Sequence, residues 1–321
     1  MEHQQAVKWA KTYLRDMGNQ LQGSFIPVRV MPWSSVYYTA TSIGSVYLKQ
    51  TARPFAIEVV LLPYLINLFP DILPKMVGTN QDLCCFLMRD AGRPLRDYLR
   101  ANYQVGLANK GVAAYVEIQQ GATSHIDLLF KLGVPDWCLA VLPSLYLKLL
   151  DEEAFLISDG LTRLEIDRLK SLHTRVSELC YQLNQYAIPE TIEHGDFHDN
   201  NMLVSYDNQI IINDWGDTII THPFFSMTSF LNSAFRNHKI NNTSRIGRNL
   251  LDNYLNHWIG YEPKNRLVEA FELVKRLNNI KFAISFYRIT QCPGMDGLGE
   301  YKGTIAKALV EFEEAEKKRG I

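Results

Sequence analysis

Residues 192–217, I-E-H-G-D-F-H-D-N-N-M-L-V-S-Y-D-N-Q-I-I-I-N-D-W-G-D, carry two polar clusters joined by two short apolar runs. Met202 to Val204 and Ile210 to Ile212 read as β-strands, and Asp207-Asn208 between them is a tight-turn signal. A hairpin turns the chain back on itself and brings its two ends together. It therefore gathers Asp196, Asn201 and Asp214 around one point.

Phosphoryl transfer needs a carboxylate to orient and deprotonate an attacking hydroxyl, and oxygen ligands for the magnesium that neutralises nucleotide phosphates. Asp196 suits the first role. Asn201 and Asp214 suit the second. Singly, each would be most simply a turn or capping residue; all three at this spacing across a hairpin are poorly explained that way. The pattern resembles H-G-D-x-x-x-x-N followed by hydrophobic-x-D-W, the catalytic core of the aminoglycoside phosphotransferase-like family, which includes choline kinases and is related to protein kinases. Here the first part is His194, Gly195, Asp196 and Asn201, and the second is Asp214-Trp215.

The chain has 321 residues, enough for two lobes and a substantial core. A hydrophobic content of 47% and a charged content of 21% are those of an ordinary soluble protein. The formal net charge of -1 argues against a nucleic-acid or anionic-membrane partner recognised by bulk charge. The N-terminus lacks the apolar core of a signal peptide, and the most apolar stretch, Ala56 to Phe69, is too short to span a bilayer. Five cysteines, none in C-x-x-C spacing, suit a reduced, cytoplasmic protein.

Residues 4 to 17 have the spacing of a packing helix. From Phe25 to Lys49 the texture is β, with breaks at Pro32–Ser35 and Ile43-Gly44. In a kinase-like lobe the first break covers the nucleotide phosphates. No G-x-G-x-x-G occurs, a departure from protein kinases, but Ser34 and Ser35 with their backbone N–H groups suit an anion-binding concavity; an ordinary hairpin turn fits equally well. Lys49 ends V-Y-L-K, similar to the kinase V-A-I-K that contacts the α- and β-phosphates. Glu58 matches the helix carboxylate that holds this lysine, or serves the first turn of a helix. Leu87, Met88 and Arg89 match the strand entering the interlobe hinge, where the backbone reads the adenine edge.

Beyond Gly92 the chain reads as helical: Leu95 to Tyr103, then Val112 to Leu132 ending at Gly133 and Pro135. Thr162-x-x-Glu165 is a capping box opening one long helix through Tyr186, whose apolar stripe positions the loop at Ile192. Val268 to Arg288 and Ile305 to Ala315 are further helices. Within the loop, His198 is expected to organise the backbone, and Asp199 and Asn200 to be turn residues. Thr221 to Met227 resembles the family's small-x-P-x-x-D-hydrophobic segment, whose aspartate buttresses the catalytic loop. This chain has Ser226 there, so the loop is either held less firmly or held by another residue.

The resemblance covers Trp33 to about Met227 and is specific only across Ile192 to Asp217. It implies an α+β, bilobal, protein-kinase-like fold: a small antiparallel-sheet lobe, residues 1–90, binding nucleotide, and a helical lobe, residues 91–321, holding the catalytic loop and acceptor. The implied function is an ATP-dependent small-molecule phosphotransferase, with GTP as an alternative donor and magnesium as cofactor. The acceptor is a hydroxyl on an aminoglycoside-, choline- or sugar-like molecule. Asp151-Glu152-Glu153, Asp296 and Glu300 are candidates to receive a cationic acceptor, against the plainer account of solvated surface. Two other readings stand: a protein kinase, disfavoured because Gly195 replaces the arginine of H-R-D, and a kinase-like nucleotide-binding module with weak or no turnover.

Overall fold

A computed structural model describes residues 2–241, 243–295 and 299–320. Helix α1 (Glu2–Asp16) precedes three strands, β1 (Ile26–Met31), β2 (Ser34–Thr41) and β3 (Gly44–Thr51). Helix α2 (Ile57–Leu68) follows, then β4 (Met76–Asn80) and β5 (Cys85–Arg89). The five strands form one antiparallel sheet in the order β1-β2-β3-β5-β4. Strand alternation divides its faces. Cys85 and Leu87 pack with Val46, Leu48 and the Ala6, Ala10 and Leu14 stripe of α1. Phe86 and Met88 point the other way, into the cluster that holds Val59, Leu62 and Leu65 of α2. The same alternation turns Lys49 toward α2.

The chain leaves β5 through Asp90-Ala91-Gly92 into a short strand, β6 (Arg93–Pro94), and then helices α3 (Leu95–Ala101), α4 (Val105–Ala122), α5 (Ile126–Lys131), α6 (Leu142–Leu150), α7 (Glu153–Asp159), α8 (Arg163–Ser171) and α9 (His173–Leu183). Four short strands come next: β7 (Thr191–Glu193), β8 (Met202–Val204), β9 (Ile210–Ile212) and β10 (Ile219–Thr221). Helices α10 (Phe225–His238), α11 (Arg245–Asn256), α12 (Lys264–Ile289) and α13 (Thr304–Lys317) complete the fold.

The hairpin expected from the sequence is β8–β9, paired Met202 with Ile212 and Val204 with Ile210, and Asn208 takes the left-handed conformation its turn needs. Strand β6 adds to its outer edge. Here Gly92 is required: at φ 110°, a Cβ would lie 2.0 Å from the Val204 carbonyl oxygen. Strands β7 and β10 pair antiparallel, so the segments entering and leaving the stretch that carries Asp196 and Asp214 are stitched together.

Three boundaries differ from the sequence reading. The helix expected over 112–132 begins at Val105 and breaks at Thr123–His125, a 3₁₀ turn in which the Thr123 hydroxyl bonds back to the Gln120 carbonyl at 2.7 Å. The long helix after the capping box is two helices, broken at Leu172, where Ser171 bonds back to the Arg168 carbonyl at 2.6 Å. The capping box itself is present, with Thr162 and Glu165 bonded reciprocally. Thirdly, the break at Pro32–Ser35 is shorter than expected: Ser34 and Ser35 already belong to β2, opposite Met31 and Val30.

Candidate active site

A cavity of about 960 Å³ runs between the sheet and the helices, lined by Ser34 and Lys49 on one side and by Asp196, Asn201 and Asp214 on the other. Lys49 is held on its wall by two carboxylates. Its ammonium lies 2.6 Å from Glu58 Oε2 and 2.5 Å from Asp214 Oδ1. Burial works against that charge, and Asp214 ahead of Glu58 overcomes it, holding the lysine pKa above its ordinary value. Burial likewise opposes the Asp214 charge, yet Lys49 holds its carboxyl below the usual range. An ammonium has three donors and two are engaged here, which leaves a third for an anion.

Glu58 is fully buried and uses its second oxygen to accept the Trp215 backbone N–H at 3.0 Å. The Trp215 indole donates to the Ile212 carbonyl at 3.1 Å and is fully buried. Asp214 between them has φ 71°, a left-handed conformation costly for a residue with a side chain. The neighbouring contacts on both sides hold it there.

Asp196 is presented by a loop built from His194. The imidazole is buried, which lowers its pKa and keeps it neutral. Its Nε2–H donates to the Asn213 carbonyl at 2.9 Å, so Nδ1 accepts the Asp196 N–H at 3.3 Å. The Asn201 amide donates to the Asp196 carbonyl at 2.9 Å and to its Oδ2 at 3.2 Å. His198 Nε2 lies 3.3 Å from the same Oδ2. Partial burial would raise the Asp196 pKa, but His198 above all, with Asn201, holds it well below the carboxylate range. The side chain remains 54% accessible, open to the cavity.

The remaining expected residues divide. Ser34 lines the cavity, whereas the Ser35 hydroxyl is buried on the opposite side of the strand, without a hydrogen-bond partner among the described residues. Met88 and Arg89 line the cavity, together with Asp90, Ala91 and Gly92. Leu87 packs behind them against α1. Period-two alternation accounts for both exclusions. The acidic residues suggested for a cationic acceptor are not gathered at the cavity. Asp151 and Glu153 pair with Lys170 at the surface, Glu152 and Glu300 do not line it, and Asp296 lies outside the described residues.

Several residues that matter to this geometry carried no sequence signal strong enough to single them out. Asp217 lines the cavity beside Asp196 and Asp214; burial, opposed by Arg288, and then those two carboxylates push its pKa up to about 7. The D-W-G-D spacing was the available clue. Arg288 of α12 donates to the Asp217 carbonyl at 3.2 Å and to the Pro54 carbonyl at 3.0 Å, joining the helical side to the segment before α2. Asp199 is more than a turn residue: it accepts from Arg96 at 2.9 Å and lies 2.5 Å from His238 Nε2, tying the loop to α3 and α10.

No protein-family model matches the sequence, and no curated protein matches it. Solved structures do match over nearly the whole chain. A choline/ethanolamine kinase family protein from Mesorhizobium loti is 12% identical with a TM-score of 0.61, covering 98% of this chain and 95% of its own. A macrolide 2'-phosphotransferase from Brachybacterium faecium is 13% identical with a TM-score of 0.59, covering 95% and 98%. The choline kinase LicA from Streptococcus pneumoniae is 12% identical with a TM-score of 0.59, again covering 95% and 98%. At such identities the likeness is one of fold. That fold, an antiparallel sheet and a helical body facing each other across a cleft, is the bilobal, protein-kinase-like fold of these small-molecule kinases and phosphotransferases.

Proposed function

We propose that the chain transfers the γ-phosphoryl group of ATP to a hydroxyl of a small polar molecule. One observation carries this reading: Lys49, Glu58 and Asp214 meet within 2.6 Å at the cavity that Asp196 also faces. Residues 1–90 serve as the nucleotide lobe and residues 91–321 as the acceptor lobe. The acceptor oxygen attacks the γ-phosphorus, its proton passes to Asp196, and the bond to the bridging oxygen breaks to release ADP. Asp196, held ionised, is suited to that role. Lys49 offers its free donor to the phosphates, and Ser34 lies on the same wall. The hinge backbone from Met88 onward receives the base; a structure of LicA in complex with AMP is in keeping with an adenine nucleotide as the ligand.

Asp214 Oδ2 and Asn201 Oδ1 accept no hydrogen bond among the described residues, and both are hard oxygen donors of the kind magnesium takes. They are the residues that would hold the metal, whose chemistry when bound is to neutralise charge on the phosphates.

The acceptor side carries no excess of carboxylates: Asp217 and Glu311 stand against Arg236, Lys281 and Lys307, and the amides of Asn232, Asn278 and Asn279 share the lining. That composition favours an acceptor recognised by hydrogen bonds over a polycation. A cytoplasmic setting rests on the five cysteines, all free thiols. None of the described helices is long and apolar enough to cross a membrane.

The experiment is a γ-phosphate transfer assay with ATP and GTP over sugars, amino alcohols, choline, aminoglycosides and macrolides. Transfer to at least one hydroxyl acceptor, dependent on magnesium and abolished in Asp196→Asn, is expected. Nucleotide binding with no transfer to any of them would overturn the reading in favour of a binding module.

A further inference from the structure

Position 226 holds a serine where a loop-supporting carboxylate was expected, yet the space beside it is not uncharged. Glu193, the last residue of β7, is fully buried there. Its Oε1 accepts the Ser226 hydroxyl at 2.9 Å. Its Oε2 accepts the Gly195 backbone N–H at 3.0 Å and lies 3.0 Å from the ammonium of Lys281, itself almost wholly buried on α12. Lys281 also donates to the Gly195 carbonyl at 3.2 Å.

The direction of every bond follows. Ser226 spends its proton on Glu193, so its oxygen accepts from the Tyr115 hydroxyl at 2.7 Å, and the Tyr115 oxygen accepts the His194 N–H at 3.0 Å. Three backbone groups of His194-Gly195 thus end on one carboxylate: one directly, one through Lys281, one through Tyr115 and Ser226. Gly195 is the residue this clamp must fix. It sits at φ 85°, where a Cβ would lie 2.3 Å from the Asp217 carbonyl oxygen, and the next residue is Asp196.

We propose that Glu193, paired with Lys281, is the positioning residue of the Asp196 loop, in place of a carboxylate at position 226. The loop is held as firmly as a charged support allows, from the preceding strand instead of the following helix. Glu193 does not line the cavity, and Lys281, which does, engages its ammonium with Glu193 and the Gly195 carbonyl. They act on turnover by holding the Gly195 peptide from both sides, and charge-assisted hydrogen bonds are about twice as strong as neutral ones. The turnover arm of the test rests on the phosphotransferase reading; the exchange arm does not.

Three variants test it in the full chain. Ser226→Asp alone sets a second carboxylate against Glu193 and is expected to lower the melting temperature and turnover. Glu193→Gln combined with Ser226→Asp moves the charge across one hydrogen bond while keeping a partner for Lys281, and is expected to restore both to near wild type. Glu193→Gln combined with Lys281→Met removes both charges, so no buried ion is left alone. In that variant kcat is expected to fall on the order of 10²-fold, with nucleotide KM within a few-fold. Amide hydrogen exchange of residues 192–197 is expected to speed up while the rest of the fold is unchanged. Wild-type kcat and wild-type exchange in a folded Glu193→Gln, Lys281→Met protein would overturn the proposal. So would a folded swap variant with turnover as low as the charge-free one. If no variant and no wild type turns over any acceptor, the exchange measurement alone still judges the clamp.

Discussion

Glu58 and Trp215, 157 residues apart in the chain, are joined by a 3.0 Å hydrogen bond from the Trp215 backbone N–H to Glu58 Oε1. The other oxygen of the same carboxylate holds Lys49 at 2.6 Å. One side chain from α2 therefore fixes Lys49 and the backbone that presents Asp214. Burial makes this junction sensitive to loss of a partner, since a buried charge left unpaired is costly.

Glu58→Gln is expected to keep the Trp215 bond and to weaken the hold on Lys49, which then leans on Asp214 alone. A charged hydrogen bond contributes about 1.5–3 kcal/mol, so nucleotide affinity and turnover together should drop about 10–10²-fold. Isothermal titration of nucleotide and initial rates check it. Unchanged affinity would mean that Lys49 is positioned by Asp214 without help.

Asp196→Asn separates chemistry from binding. The substitution keeps the amide-sized shape and loses the base, so turnover is expected to fall by about 10²–10⁴-fold. Magnesium–nucleotide affinity should stay within a few-fold, because the proposed role of Asp196 is toward the acceptor. Rates on the identified acceptor give the answer, and a mutant with near-normal turnover would remove Asp196 from the mechanism.

How much of this was legible in the sequence depends on how local the signal was. The β8–β9 hairpin, the capping box at Thr162 and the α2 helix were readable because turn residues, caps and apolar periodicity act over a few residues. Lys49 and Glu58 were singled out from V-Y-L-K and the helix that follows, and the two side chains meet at 2.6 Å. Ser34 and Ser35 were read as a pair, and only the register of β2 separates them. Glu193 and Lys281 were invisible: they are far apart in sequence, and each alone looks like a solvated charge. Asp199 was read as a turn residue because Arg96 and His238, its partners, come from other elements. What the sequence could not express was tertiary pairing of charges whose local contexts are ordinary.

Asp214→Ala acts on two partners at once. It removes a proposed metal ligand and frees Lys49 to pair with Glu58 alone. Turnover is expected to fall about 10²–10³-fold, the usual cost of one electrostatic stabiliser. The diagnostic is magnesium dependence: nucleotide affinity measured with and without the metal should become nearly equal. A preserved difference would show that magnesium is held elsewhere.

Asp217 makes a prediction about pH. Its carboxyl is pushed up to about 7, first by burial, against Arg288, and then by Asp196 and Asp214. An unfolded aspartate titrates near 3.9. The folded state therefore holds its proton more tightly than the unfolded chain. The stability this group contributes is fully present below about pH 4 and is lost as the pH rises toward and through 7, because over that window only the unfolded chain gains by ionising. Asp217→Asn cannot ionise and escapes the loss. The variant is expected to match wild type near pH 4, to gain on it steadily between pH 4 and 7, and to keep a constant advantage above that. Other carboxylates whose pKa is lowered, such as Asp199, weaken both proteins alike in acid and cancel in the difference. Urea denaturation of the two proteins at pH 4, 5.5 and 7.5, without nucleotide, measures it. A difference between the proteins that stays flat from pH 4 to 7.5 would mean that Asp217 titrates like an ordinary surface carboxylate.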